Sequence, residues 1–147
     1  MLKRIIFTSA LTLMMVLSGC ATDPTKEQYD AAFYGGAAPT DIQMRAEWAR
    51  FIQTQLKDPQ SAQIEFPEGM QMWRGTVSAN ELPSNLKDTL KLDGGFLFVR
   101  TSKALINAKN SFGGYTGSIR TALAFYGDRA IAYSQFTEGS WRPWKFF

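Results

Sequence analysis

The feature that most constrains this sequence is its single cysteine, Cys20, which ends an uncharged apolar run near the start of the chain. One thiol excludes an intrachain disulfide and a cysteine-cluster zinc site. The chain also contains no histidine, which excludes His-ligated metal and His-based general base chemistry. The fold must therefore rest on a hydrophobic core, and we expect a protein that is not an enzyme and holds no metal or cofactor.

The first 20 residues have the layout of a targeting segment. Lys3 and Arg4 precede the uncharged run from Ile5 to Leu17. As a helix this run would extend about 20 Å at 1.5 Å per residue, whereas a bilayer-spanning helix needs roughly 20 apolar residues. Its length and flanks are typical of a secretory signal peptide. A short buried helix, or a signal peptide with an incidental cysteine, is the alternative.

The sequence Leu17-Ser18-Gly19-Cys20 resembles the lipobox of bacterial lipoprotein precursors. The resemblance implies cleavage between Gly19 and Cys20, a diacylglyceryl group on the Cys20 thiol and an acylated new amine. Two or three acyl chains anchor a protein stably, at about 0.8 kcal/mol per buried methylene. In that family Asp after the cysteine favours the inner membrane. Ala21 stands there in this chain, which implies the outer membrane, on its periplasmic face.

Charge and length restrict the possible partners and the number of domains. The formal net charge is +3, and removal of Lys3 and Arg4 leaves 14 basic residues against 13 acidic ones. No strong basic field remains, so we expect no nucleic-acid partner. A chain of 147 residues with 45% apolar residues is sufficient for one domain. We predict a signal peptide over 1–19, a lipidated tether over 20–39 and one periplasmic domain over 40–147.

The tether is predicted from its proline and glycine residues and from its weak apolar periodicity. Nineteen extended residues could reach about 65 Å at most. Docking of Tyr29, Phe33 and Tyr34 against the domain is the alternative to a flexible tether.

A helix is predicted to begin after Thr40, where Gln43 completes a capping-box pattern. It should end near Lys57, because Pro59 disfavours helical geometry at the preceding residue. Trp48 falls off the main apolar stripe, and Glu47 is expected to face water. The expected apolar face consists of Ile42, Ala46, Ala49, Ile52 or Phe51, and Leu56.

After this helix the apolar pattern changes to period two, which predicts strands. A short helix starting near Ser84 interrupts them, and Gly127-Asp128-Arg129 forms a hairpin turn. Strands are expected at 64–66, 70–78, 96–101, 104–108, 118–126 and 130–136, with 96–101 and 104–108 either separate or joined through a bulge. Short connections favour antiparallel pairing. We therefore predict an α+β domain in which one N-terminal amphipathic helix packs on an antiparallel sheet of four to six strands.

The segment 107–117 (NAKNSFGGYTG) is the first candidate binding site. With 57–62 (KDPQSA) it resembles a pattern of an uncharacterised family of small exported bacterial proteins. The resemblance covers about 42–136 and implies a shared fold and an envelope location. Other members often carry a cysteine shortly before this segment, which is missing here at 100–106. Either the loop is a structural hairpin, or it presents a recognition surface formed by Asn107, Lys109, Asn110 and Tyr115.

The C-terminal segment 141–147 (WRPWKFF) is the second candidate. Either it covers an open sheet edge, or Trp141 and Trp144 dock a partner or the membrane interface. Ser–Lys pairs such as Ser102 with Lys103 are frequent by chance and point to no specific enzyme.

These features favour a lipid-anchored binding or scaffolding module in the cell envelope, with unknown oligomeric state. An envelope protein or peptidoglycan is the possible partner. The alternatives are an exclusion or accessory lipoprotein of a phage or plasmid, and a cell-wall enzyme or lysozyme-type inhibitor.

Overall fold

The computed structural model describes residues 23–147. The signal peptide, the cleavage site between Gly19 and Cys20, and the lipidated Cys20 itself lie outside the described residues. Those predictions therefore stay predictions.

The described chain forms helices and one antiparallel sheet of seven strands. The helices are α1 (Lys26–Ala31), α2 (Asp41–Gln55) and α3 (Ser84–Lys87), with a short 3-10 turn at Pro59–Ser61. The strands are β1 (Gln63–Glu65), β2 (Trp73–Ser78), β3 (Phe96–Asn107), β4 (Ile119–Tyr126), β5 (Arg129–Thr137), β6 (Ser140–Trp141) and β7 (Lys145–Phe146). The predicted α+β class is confirmed, although two short C-terminal strands raise the count above the expected six.

The long strand β3 organises the sheet. β1 and β2 lie end to end along one edge of β3, and β4 pairs with its other edge. β5 follows β4, with a bulge near Ala124 and Phe125. β6 and β7 both pair with the outer edge of β5. The two strands predicted at 96–101 and 104–108 are therefore one continuous strand, because the pairing of β3 with β4 runs without a break from Arg100 to Ile106.

The N-terminus of α2 is capped as the sequence predicts. The Thr40 hydroxyl accepts a hydrogen bond from the Gln43 backbone N–H at 3.3 Å, and the Gln43 side chain accepts one from the Thr40 N–H at 2.8 Å. This reciprocal pair satisfies two of the donors that every helix start leaves open. The helix stops at Gln55, and Asp58 then caps the 3-10 turn that begins at Pro59.

The expected apolar face of α2 is only partly right. Phe51, Ile52 and Leu56 do pack in or against the core, but the buried stripe is Met44, Trp48 and Phe51, and Ile42 is 81% exposed. Ala46 and Ala49 also face solvent. The stripe of three large side chains removes more apolar surface from water than one built on two alanines, and the stabilisation follows the area buried.

Glu47, which we expected to face water, is buried beside the tryptophan. Its carboxylate accepts hydrogen bonds from Arg50 at 2.6 Å and from the Ala130 backbone N–H at 3.3 Å. Its second oxygen lies 2.8 Å from the guanidinium of Arg129. Burial of this charge is tolerated because it is paired, and the pairing ties α2 to the start of β5.

The segment before α2 is docked on the sheet. This agrees with the alternative given above, docking of its aromatic residues, and not with a flexible tether over residues 23–39. The Tyr29 and Tyr34 rings pack edge to face on Phe98, with centroids 5.4 and 6.2 Å away. The Tyr34 carbonyl accepts a hydrogen bond from the Gly127 N–H at 2.7 Å. Gly35 makes this approach possible, because a Cβ there would lie 2.5 Å from the Gly127 nitrogen.

An ion pair adds to this docking. Asp30 of α1 contacts both Lys26 and Arg74 of β2. The hydrogen bonds from Lys26 and then Arg74 hold the pKa of the Asp30 carboxyl below its usual value of 3.8. Burial raises the pKa of the nearby Tyr34 phenol.

Candidate functional site

The predicted binding loop at 107–117 connects β3 to β4, and much of its polarity serves the loop itself. The Asn110 side chain accepts hydrogen bonds from the Phe112 and Gly114 backbone N–H groups, at 2.9 and 3.2 Å. Gly113 and Gly117 take positive φ angles of 80° and 87°, which glycine adopts at little cost. Asn110 is therefore a turn-forming residue.

The other candidates in the loop are only partly brought together. The Lys109 ammonium lies 5.5 Å from the centroid of the Tyr115 ring, which is 47% exposed. The Lys109 backbone N–H donates to Ser61 at 3.0 Å, which holds the loop against the 3-10 turn. Asn107 is separate, and its side-chain oxygen is buried with no hydrogen-bond partner among residues 23–147. Lys109 and Tyr115 thus form a small exposed pair rather than a pocket.

The C-terminal segment covers the free edge of β5. β6 pairs with Phe136 and Thr137, and β7 pairs with Ala132 and Tyr133. Arg142 stays bonded to β5, because its backbone N–H donates to the Gln135 carbonyl at 2.9 Å. Pro143 and Trp144 then bulge out of the pairing before β7 begins. The Ser134 hydroxyl donates to the Arg142 carbonyl.

This bulge forms one wall of a cavity of about 460 Å³ on the face of the sheet opposite α2. The floor consists of Thr101, Ala122 and Ser134, from β3, β4 and β5. Ala122 pairs directly with Ser134. Because these side chains are small, the sheet surface is hollow between the taller walls. We call this cavity the far-face cleft.

Aromatic and charged groups surround the far-face cleft. Trp141 and Trp144 line the side formed by the bulge, and Glu81 reaches in from the insertion between β2 and β3. Glu81 accepts long hydrogen bonds of 3.4 Å from the Trp144 and Ser78 backbone N–H groups. The insertion and the tail therefore meet at this end of the cleft. Trp141 and Trp144, predicted as a docking pair, do line one site.

Lys103 supplies the positive charge of the cleft. It neighbours Ala122 in the pairing of β3 with β4, and its ammonium lies 4.7 Å from the centroid of the Trp73 ring. Among residues 23–147 no carboxylate approaches this ammonium within 4 Å. The cation is thus positioned by an aromatic ring and keeps its hydrogen-bond donors for another group.

A smaller hollow continues the far-face cleft along β3. It shares Lys103 and is lined also by Glu68, Trp73, Leu105 and Arg120. The Arg120 guanidinium lies 5.9 Å from the centroid of the Phe136 ring, and it too makes no ion pair with a carboxylate among the described residues. Three of the four tryptophans of the chain, Trp73, Trp141 and Trp144, therefore lie on the far face around one groove.

Sequence reasoning found the aromatic tail but missed Lys103, Thr101 and Ser134. Thr101 and Lys103 belong to β3 and Ser134 belongs to β5, and only the register of β3, β4 and β5 brings them into one cavity. The sequence did contain one signal of this site, because Thr101 and Lys103 are two residues apart and therefore share one strand face. Lys103 appeared only as a candidate partner of Ser102, which the fold excludes. Ser102 is buried on the other face and accepts a hydrogen bond from the Trp48 indole at 3.1 Å.

Two further properties of residues 23–147 concern membranes and metals. None of the helices in this range has the length and apolar character needed to cross a bilayer. No group of three or more Asp, Glu, His or Cys side chains in this range could hold a metal ion. Comparison of the chain with protein-family models, curated proteins and solved structures found no match.

Proposed function

We propose that this chain is a lipoprotein of the bacterial outer membrane, anchored through acyl chains on Cys20, whose periplasmic α+β domain binds a partner in the cell envelope. The observation that carries the proposal is the lipobox-like 17–20 segment, which places the only thiol of the chain directly after a signal-peptide pattern. The far-face cleft supports the binding role, because it joins aromatic walls to an unpaired cation.

The docked N-terminal segment gives this proposal a geometric consequence. Only residues 21–24 separate Cys20, which carries the proposed lipid, from Thr25, the capping residue of α1. The five steps from Cys20 to Thr25 reach about 18 Å at most, far less than the upper limit of about 65 Å for a fully extended tether of nineteen residues. The domain would therefore sit close to the membrane surface, and its partner must be reachable from there.

A binding role fits the contents of the cleft better than catalysis does. The Ser134 hydroxyl is engaged as a donor to the Arg142 carbonyl. The Glu81 carboxylate is turned toward backbone N–H groups. Hydroxyl, ammonium and aromatic groups that stand on separate walls suit recognition of a shaped ligand.

Metabolic labelling with radioactive palmitate tests the anchor. Labelled wild-type chain and unlabelled Cys20→Ser chain are expected, because Cys20 is the only thiol that can carry the diacylglyceryl group. A Ser111→Ala variant, altered at an exposed loop position, serves as the labelled control. Persistent label on Cys20→Ser, or mature wild-type chain free of fatty acid in the aqueous fraction, contradicts the proposal.

Membrane fractionation tests the sorting step separately. An Ala21→Asp variant places an acidic residue directly after the lipidated cysteine and should move the protein to the inner membrane. Ala21→Ser is the matched control and should stay in the outer membrane. An Ala21→Asp protein that remains in the outer membrane would remove the sorting argument and leave the anchor untouched.

Photocrosslinking in living cells tests the binding role. A crosslinking residue at position 141 lies in the far-face cleft, and one at Ile42 lies on the exposed side of α2. We expect specific adducts from position 141 and none from position 42, with mass spectrometry identifying the partner. A third probe at Tyr115 decides between the cleft and the 107–117 loop. Adducts from Tyr115 alone would assign binding to the loop.

A further inference from the structure

We propose that the far-face cleft binds a carboxylate-bearing saccharide, with sugar rings packed against its tryptophan wall and the acid paired with Lys103. This inference rests on the proposed binding function and specifies the ligand class. It follows from four properties of the cleft: its floor, its aromatic wall, its cation and its size.

The floor offers side-chain groups only. The backbone groups of β3, β4 and β5 beneath it are engaged in their own ladders, and the nearby edge of β5 is occupied by β6 and β7. A peptide that binds by strand addition needs a free edge, and at the tail side of this cavity the edge of β5 is already taken. The Thr101 and Ser134 hydroxyls on the floor donate to the Trp73 and Arg142 carbonyls. They can therefore offer a ligand acceptor oxygens, which suit the hydroxyl groups of a sugar.

The wall suits the apolar faces of sugar rings. Trp141 and Trp144 flank Pro143 on one side, and Trp73 lies on the other side of Lys103. Pyranose rings present C–H groups on one face and hydroxyls at their rims. They can therefore contact aromatic rings and polar side chains at the same time. Indole groups provide a large, rigid contact area with an apolar body.

The cation of the cleft favours a ligand that carries a negative group. The Lys103 ammonium has no carboxylate partner among residues 23–147. Glu81, the acidic residue of the same cavity, accepts hydrogen bonds from backbone N–H groups at the far end of that cavity. Arg142 does not compete for the acid, because its guanidinium is held by Thr137 and Glu138. Charge-assisted hydrogen bonds are stronger than neutral ones, so a sugar acid should be preferred over a neutral sugar.

The dimensions also fit this class of ligand. A cavity of about 460 Å³ is within the range of about 300–1,000 Å³ common for small-molecule sites. The hollow beyond Lys103 adds only about 30 Å³ and contains Glu68 beside Arg120. The sugar rings must therefore lie in the main cavity, with Lys103 as the cation that pairs with the acid.

Titration of the full chain with defined disaccharides tests the inference, with tryptophan fluorescence as the readout. N-acetylglucosaminyl-N-acetylmuramic acid and digalacturonate both carry carboxylates, and chitobiose is the neutral comparison. We expect saturable binding of at least one acid, about tenfold or more tighter than binding of chitobiose. Binding of the muramic acid compound alone identifies a cell-wall ligand, and binding of digalacturonate alone identifies a uronic-acid polymer.

Two variants locate the binding. Lys103→Met keeps an aliphatic side chain and should reduce acid binding about tenfold, to the level of chitobiose. Lys87→Met, on α3 and outside the cleft, is the matched control and should change nothing. Trp141→Ala should weaken acidic and neutral saccharides by similar factors. Circular dichroism melting of each variant separates these effects from loss of fold.

Three results would overturn the inference. These are absence of saturable binding of both acids, equal affinity for chitobiose and the acids, and unchanged acid binding by a folded Lys103→Met variant. Suppose that one of these three results is found and that photocrosslinking from position 141 still gives protein adducts in cells. The saccharide ligand would then be refuted, and the proposed binding function would stand. Loss of the position 141 adducts alone would affect only the proposed function.

Discussion

The two faces of the sheet are built from the same strands, yet only one of them is closed. On the α2 side, Met44, Trp48 and Phe51 pack against alternate residues of β3 and β4 in one cluster, and the α1 segment extends the cover over Phe98. On the far face, the 79–95 insertion and the C-terminal tail cover Leu97 and Val99. The cover ends before Lys103, where the far-face cleft begins.

The difference shows how a sheet divides stability and recognition between its two sides. Successive side chains of a strand point to opposite faces, so β3 contributes Ser102, Ala104 and Ile106 to the closed side and Thr101 and Lys103 to the open one. On the closed side the large side chains of α2 fill the space above Ser102 and Ala104, whereas the small or polar floor of the cleft stays open. The following predictions test this division, from the largest expected effect to the smallest.

Trp48→Ala should give the largest loss of stability. The indole is 2% exposed, contacts Phe51 and Phe66 edge to face, and donates to the buried Ser102 hydroxyl. Its removal leaves a cavity and an unsatisfied polar group, at a cost of about 3–5 kcal/mol. Urea unfolding followed by circular dichroism measures the change. A loss below about 1 kcal/mol would contradict the burial of this helix face.

Gly35→Ala should cost about 2 kcal/mol or more, because it combines backbone strain with a clash. Gly35 has a φ of 80°, and a Cβ would lie 2.5 Å from both the Gly127 nitrogen and the Tyr126 ring. Gly113→Ala is the matched control, because Gly113 has the same φ and nothing within 4 Å of the added carbon. The difference between the two melting temperatures measures the docking of the N-terminal segment. Equal losses would show that this segment is not packed on the sheet.

Glu47→Ala should destabilise the closed side by about 1–2 kcal/mol, since it removes the buried acceptor of Arg50 and the Ala130 N–H. The cost is moderated because Arg129 and part of Arg50 reach solvent. Glu65→Ala, at an exposed position of β1, is the control and should be nearly neutral. Chemical denaturation compares the two, and equal effects would mean that the buried pairing contributes nothing.

Trp141→Ala should cost less than about 1 kcal/mol, far less than Trp48→Ala. Trp141 is 39% exposed, and its ring contact is with Phe136 at the rim of the sheet. The pair of tryptophan variants therefore compares the two faces directly by thermal unfolding. A loss for Trp141→Ala similar to that of Trp48→Ala would make the tail part of the core and weaken its role as a cleft wall.

The contribution of Asp30 to stability should depend weakly on pH. Its pKa is lowered in the folded chain by Lys26 and Arg74, so the ion pairs stabilise the fold above about pH 3.8, and this stabilisation is lost as the pH falls through the folded value. Asp30→Asn should lower the melting temperature slightly at pH 7 and not at pH 2. Equal differences at both pH values would show that ionisation of Asp30 does not contribute.

The sequence was most informative where the physical signal is local. The capping box at Thr40, the end of the helix before Pro59 and the hairpin turn at Gly127 each depend on neighbouring residues, and the structure confirms them. The buried face of α2 was predicted only in part, because two stripes with helical spacing overlap in that segment. The partner surface decided between them, since it offers Ser102 to the Trp48 indole and Arg129 to Glu47.

The sequence by itself determined the α+β class, the α2 helix and the strands between 63 and 137, because these follow from residue types and short-range periodicity. It did not predict α1, β6 or β7. The tertiary structure alone decided which side of α2 is buried, that the segment before it is docked, and that Lys103 lies with Thr101, Ser134 and the C-terminal tryptophans. Those groups are far apart in sequence. They meet because strand register and the cover provided by other segments set which side chains share a face and which stay open.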